Sequence, residues 1–175
     1  MKYFLILFVI SFFLAQDVFA IDLEMGKVPP TIDLKDKIGG RLDGSPWSSN
    51  ELRGKIHVLF YVDPDEKDLN NDASEALSDA KFSPDDFQSL AIINMAATWL
   101  PNFAISSSLK EKQKRYPNTL YLRDYKKVVV NEWGLADDNS DVIAFDRQGR
   151  LIYRKDGKLD ENDINELLNV IKGNI

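Results

Sequence analysis

The chain has 175 residues, with 22 Lys and Arg against 28 Asp and Glu, one His, no Cys and 44% apolar residues. That length predicts one domain with an ordinary hydrophobic core, and a formal charge of −6 argues against nucleic-acid binding, which needs clustered cations to displace counterions from phosphates. Without Cys there is no disulfide, thiol catalysis, Cys-ligated zinc or iron–sulfur cluster, and a single His excludes an HExxH metal site.

The first twenty residues read as an export signal. Met1-Lys2 is a short positive start, Tyr3 to Ala15 is a nearly unbroken apolar run, and Val18-Phe19-Ala20 resembles a cleavage site. The run is shorter than the roughly 20 apolar residues a membrane span needs, and Asp17 ends it. Cleavage is expected after Ala20, leaving residues 21–175 as a single exported domain with no stable membrane insertion.

Residues 21–54 predict an irregular lead-in, punctuated by Pro29-Pro30, Gly39-Gly40 and Asp43-Gly44-Ser45-Pro46. Ile56 to Val62 is a β-branched and aromatic run, read as a buried strand that Asp63-Pro64-Asp65 stops. Ala73, Ala76, Leu77 and Ala80 recur at helical spacing, which predicts a helix over Asn71 to Phe82. Leu90 to Asn94 predicts a second buried strand. Ile105 to Tyr116 predicts a polar helix with Ile105, Leu109 and Lys112 on one face.

Leu120-Tyr121-Leu122 is strand-like, and Lys127 to Val130 reads as further extended chain leading to Trp133. Asp141 to Asp146 and Leu151 to Arg154 flank Arg147-Gln148-Gly149-Arg150, a hairpin with Gly in its loop. Asp160 caps a last helix whose Ile164, Leu167, Leu168 and Ile171 form an apolar stripe. Parallel strands, then an antiparallel hairpin and a closing helix, predict an α/β three-layer sandwich. Its mixed central sheet carries helices on both faces.

That order resembles the thioredoxin-like fold. Gly26-Lys27-Val28-Pro29-Pro30 and Leu52-Arg53-Gly54-Lys55 resemble the start of its periplasmic thiol-reductant and peroxiredoxin branches, and Asp146 to Leu151 with Asp156-Gly157 resembles their end. More closely, the chain resembles the bacterial periplasmic YtfJ family. The words that carry this are Ser107-Ser108-Leu109, Lys114-Arg115-Tyr116-Pro117, Glu132-Trp133-Gly134-Leu135 and Lys155-Asp156-Gly157. The resemblance implies a periplasmic location and assigns no activity. It also shows two departures. The place of the redox Cys reads Asp63-Pro64-Asp65-Glu66-Lys67, and the place of the cis-proline before the hairpin reads Asn139-Ser140-Asp141-Val142. Both halves of the thiol site are absent.

Asp63, Asp65, Glu66, Asp68 and Asp72 form one acidic cluster, and Asp137, Asp138 and Asp141 a second. In a thioredoxin-like arrangement the two loops approach each other, so as many as eight carboxylates are expected on one rim. Such a rim suits a weak Ca²⁺ or Mg²⁺ site on Asp63, Asp65, Asp138 and Asp141, or a cationic peptide. The alternative is a solvated acidic turn. No other cofactor is implied.

His57 lies at the wrong end of its strand for catalysis and is read as structural. Trp47, Trp99, Tyr116 and Trp133 are read as core aromatics, with Trp99 in the loop after the second strand the one placed to mark a partner surface. Lys110, Lys112, Lys114 and Arg115 read as a solvated face. Two functions fit: a binding or adaptor module contacting a periplasmic protein or peptide through Asp63, Asp65, Glu66, Trp99, Asp137, Asp138 and Asp141, or a metal-assisted hydrolase using the same carboxylates.

Overall fold

Ile56 to Val62 is apolar on both faces because it lies at the centre of a sheet covered on both sides. The computed structural model describes residues 23–175, so the signal-peptide expectation for residues 1–20 lies outside the described residues. In chain order the elements are β1 (Asp33–Leu34), β2 (Gly39–Arg41), β3 (Trp47–Ser48), β4 (Ile56–Val62), α1 (Asn71–Asp79), β5 (Phe87–Asn94), α2 (Asn102–Arg115), β6 (Thr119–Asp124), α3 (Val128–Trp133), β7 (Ser140–Phe145), β8 (Leu151–Lys155) and α4 (Glu161–Asn174).

Six strands form one mixed sheet in the order β2-β6-β5-β4-β7-β8. The pairs β4–β5 and β5–β6 are parallel; β4–β7, β7–β8 and β2–β6 are antiparallel. The crossovers through α1 and α2 step the same way across the sheet, and right-handed connections that do so put both helices on one face. Phe60, Ala91 and Tyr121 are neighbours in register on that face. There α1 and α4 pack over Ile56, Val58 and Phe60, while α2 packs over Ala91, Ile93 and Tyr121. On the opposite face Leu59, Tyr61, Leu90 and Ile92 meet Trp47, Val129 and Trp133, contributed by the lead-in segment and α3.

The lead-in is more ordered than its composition predicts. It forms the β1–β3 pair and adds β2 to the sheet edge beside β6. A Cβ at Gly39 would overlap the Arg123 carbonyl oxygen, so this close approach requires glycine. At the other edge, Gly26 N–H donates to the Leu151 carbonyl (2.8 Å) and Leu151 N–H to that of Lys27 (2.9 Å). Residues 23–54 thus form a strap across one face, from the β8 edge to the β6 edge.

Two expectations are corrected. The extended chain expected over Lys127 to Val130 is instead the start of α3. Lys127 is left-handed at φ 54°, which turns the chain sharply, and the Asp124 carboxylate accepts from Lys126 N (3.0 Å) and Val129 N (3.1 Å). These contacts outweigh the strand preference of three valines and deliver Trp133 into the core, where its Nε1 donates to the Pro30 carbonyl (2.8 Å). Tyr116, expected in the core, is 48% exposed at the end of α2. Trp47 and Trp133 are buried as expected. Smaller shifts move the start of β5 to Phe87, the start of α2 to Asn102 and the end of α1 to Asp79.

His57 is 3% exposed, with Nδ1 3.1 Å from the Lys55 carbonyl, and burial holds its pKa below the ordinary value. The unfolded chain therefore binds a proton below about pH 6.5 that the native state resists, and stability falls as pH drops through that value. The loss attributable to His57 is bounded at about 1.4 kcal/mol one pH unit below 6.5. Urea melts at pH 7.5 and 5.5 should show this loss in the wild type and a smaller one in His57→Gln. Equal losses would assign the dependence to other groups.

Candidate functional site

The C-terminal ends of β4 and β5 and the start of β7 meet at one edge of the sheet, where ligands of open α/β sheets gather. After β4, Asp63 turns the chain: its Oδ1 accepts from Asp65 N (2.8 Å) and caps a short 3₁₀ turn over Pro64–Glu66. Asp63 N–H donates to the Asn139 carbonyl (2.9 Å), which ties the first acidic loop to the second. The expected convergence of the two loops is therefore present. Where thioredoxin chemistry places a nucleophile, this chain has a carboxylate that is 4% exposed and committed to its own turn.

Burial, reinforced by Asp65, Asp138 and Glu66, raises the pKa of Asp63 against the opposing backbone bond from Asp65. Asp137 is held the other way. Lys127 Nζ lies 2.6 Å from its Oδ2 and Asn94 Nδ2 3.0 Å from its Oδ1, and the lysine contact keeps this carboxyl below the usual range. Asp65 accepts from Thr98 Oγ1 (3.2 Å), which joins the loop after β4 to the loop after β5.

Asp141 departs most from the expected rim. It is fully buried and accepts from Ala136 N (2.8 Å) and Gly157 N (3.2 Å), so it staples three segments and faces no solvent. Burial raises its pKa. The four-carboxylate cation site expected on Asp63, Asp65, Asp138 and Asp141 is not assembled: among the described residues no three His, Asp or Glu are grouped to hold a metal ion. Of the eight carboxylates expected on one rim, Asp63 and Asp141 are buried and Asp137 is half-buried, while Asp65, Glu66, Asp68, Asp72 and Asp138 are exposed.

Beside them the loop after β5 presents Trp99, 87% exposed, and the first turn of α2 presents Phe103, 78% exposed. Trp99 thus stands exposed on the loop after β5, and not in the core. Phe103 escaped the sequence reading. Its signal was positional, because it lies two residues before Ile105 and off the Ile105–Leu109 stripe. Asn70 and Asn94, both buried, were missed as well, since their partners are remote in sequence.

Residues 32–174 match a protein family described as "Bacterial protein of unknown function (YtfJ_HI0045)". The chain belongs to this YtfJ family. An uncharacterized protein of Haemophilus influenzae is 30% identical over 132 residues, covering 73% of this chain and 71% of that protein. An uncharacterized protein of Escherichia coli K12, YtfJ, is 28% identical over 158 residues, covering 85% of each. Among solved structures, the thioredoxin domain of a thiol-disulfide oxidoreductase from Bacteroides vulgatus is similar with a TM-score of 0.62 at 16% identity. That likeness covers 88% of this chain and all of that domain. The fold of this YtfJ member is thioredoxin-like. Among the described residues no peptide bond is cis, and Asn139 and Ser140 stand where the redox branches carry their proline.

Proposed function

We propose that this YtfJ protein is exported to the periplasm and works there as a binding or adaptor module without thiol chemistry. Its contact surface is the edge where Trp99 and Phe103 stand beside Asp65, Glu66 and Asp138. The observation that carries this reading is the exposure of both aromatics next to that acidic turn. Large exposed aromatics beside charge are the composition of interaction hot spots. Asp63 and Asp141 are buried and accept from backbone N–H groups, and Asp137 is paired with Lys127, which favours contact over catalysis at this edge. The matching partner is a segment that sets an apolar side chain on Trp99 and a Lys or Arg against Asp65 or Glu66.

A photo-reactive residue at position 102, beside the aromatic pair, tests the reading in the periplasm. The wild-type background should give discrete crosslinked partners that weaken with salt. Adding Trp99→Ala should cut them at least tenfold, a hot-spot loss of about 2 kcal/mol, while the melt moves by less than about 0.5 kcal/mol, as for a surface site. Crosslinks indifferent to Trp99→Ala and salt would sink this contact surface. The mature N-terminus should be Ile21 in an osmotic-shock fraction; recovery with the cytoplasm would sink the export.

A further inference from the structure

On the face that carries α1 and α2, the hydrophobic packing is divided. One cluster lies under α1 and α4, the other under α2, and Val62 is the partly buried residue packed against both. Between them runs an open slot of about 270 Å³ whose floor is β4, β5 and β6. Small side chains make it: Ser74 on the α1 wall, Ala104 and Ser108 on the α2 wall, and Ala91 on the floor. The floor from Ser89 to Ile93 is about 13 Å long at roughly 3.3 Å per residue. About 150 Å³ is enough to hold a benzene ring, so this slot takes a longer apolar body.

Its charge is the reverse of the protein's. The chain is acidic overall, yet no Asp or Glu lines the slot, and its charged residues are Lys67 and Lys112. The two lysines differ in setting. Lys67 sits among Glu66 and Asp68 on the exposed acidic turn. Lys112 lies on α2 one helical turn beyond Ser108, half-buried, and among the described residues it has no carboxylate partner. Ser89 and Thr119 are register neighbours on the floor at the same end. Three hydroxyls and an ammonium group therefore close one end of an apolar trough formed by Phe60, Ile93, Ile105, Leu109 and Tyr121. A half-buried cation without a counter-charge beside unengaged hydroxyls suits an anionic head, and the trough suits a single chain behind it.

We propose that this slot binds a single-chain amphiphile with a carboxylate head, the head at Lys112, Ser108, Ser89 and Thr119 and the tail along β5 toward Leu100. An inorganic anion would leave the trough unfilled. A neutral or cationic amphiphile would leave Lys112 without a counter-charge. The site lies on the helix-covered face; its Leu100 end reaches the edge described above, but neither Trp99 nor Phe103 lines it.

Isothermal titration of the purified chain with sodium decanoate tests it. The expected result is one saturable site per chain, with decan-1-ol and sodium acetate each at least tenfold weaker. Lys112→Met keeps the apolar stem and removes the charge, and should weaken decanoate at least tenfold. Ala104→Trp places a large side chain in the slot from an exposed helix position and should abolish binding while the melt stays cooperative. Trp99→Ala should bind decanoate like the wild type, so failure here and failure of the edge are separable. No saturable binding, or binding unchanged in Ala104→Trp, would overturn the slot. Equal affinity for decanoate and decan-1-ol, with Lys112→Met unaffected, would overturn the anionic head.

Discussion

Asn70→Ala should cost about 3 kcal/mol of folding stability, a drop of about 6–12 °C in Tm for a chain this size. Asn70 is 6% exposed just before α1. Its Nδ2 donates to the Ser140 carbonyl (2.8 Å), Ser140 Oγ (3.3 Å) and the Gly157 carbonyl (3.0 Å), and its Oδ1 accepts from Leu159 N (2.9 Å). One amide thus joins the approach to α1, the start of β7 and the loop before α4. Truncation leaves a buried N–H and two carbonyls without protein partners, and each such group costs about 1–3 kcal/mol less whatever water recovers. Asn70→Asp is the sharper variant. It keeps an acceptor for Leu159 N but turns a carboxylate toward two carbonyl oxygens, so it should be destabilised at least as much as Asn70→Ala. Urea melts of the three proteins decide it, and an aspartate variant as stable as the wild type would refute the network.

Asp124→Ala should be of similar size, about 3 kcal/mol, and should act through α3. The Asp124 carboxylate is fully buried and accepts from Tyr61 OH (3.2 Å), Val129 N (3.1 Å) and Lys126 N (3.0 Å). Burial and the neighbouring carboxylate keep the Tyr61 hydroxyl protonated and donating. Removing the carboxylate relieves its own desolvation but orphans two buried donors, and the second effect is larger when one partner of a buried pair is deleted. Tyr61→Phe removes one donor of three and should cost about 1 kcal/mol. The double variant should lose less than the sum of the singles because the two share a bond. Near-ultraviolet circular dichroism should change with Asp124→Ala, since Trp133 at the end of α3 packs against Phe145. A loss under 1 kcal/mol with an unchanged aromatic spectrum would count against this role.

The sheet was legible where burial alone decides local structure. β4 is covered on both faces, so its seven residues read as an apolar run whatever their neighbours. The hairpin showed through Gly149, whose φ of 79° its turn requires. The last helix showed through Asp160, which accepts from Asp163 N (2.9 Å). α3 was hidden because its start is set by Asp124 and Trp133's destination, while its valines taken alone favour a strand.

The site was legible as a place and less so as chemistry. The meeting of the two acidic loops followed from topology, and the Asp63–Asn139 bond is its physical form. Whether each carboxylate faces water or a backbone N–H depends on distant segments. Asp141 meets Gly157, and Asn70 reaches Ser140, Gly157 and Leu159. Local sequence carries no sign of such pairings. The slot was missed for a related reason: small residues mark a gap only once it is known which helices face each other.

The strap of residues 23–54 has a consequence for the order of folding. Its two anchor points, Leu151 on β8 and Leu122–Asp124 on β6, lie far along the chain from the residues that dock on them. The strap precedes both of these strands in the chain and cannot seat before they form, because neither anchor exists until β6 and β8 are in place. Contacts so distant in sequence close slowly. Until they do, the nascent sheet presents two unpaired strand borders, the geometry through which chains join edge to edge. Slow docking of residues 23–54 would therefore lengthen the interval in which a new molecule can recruit another in place of its own strap.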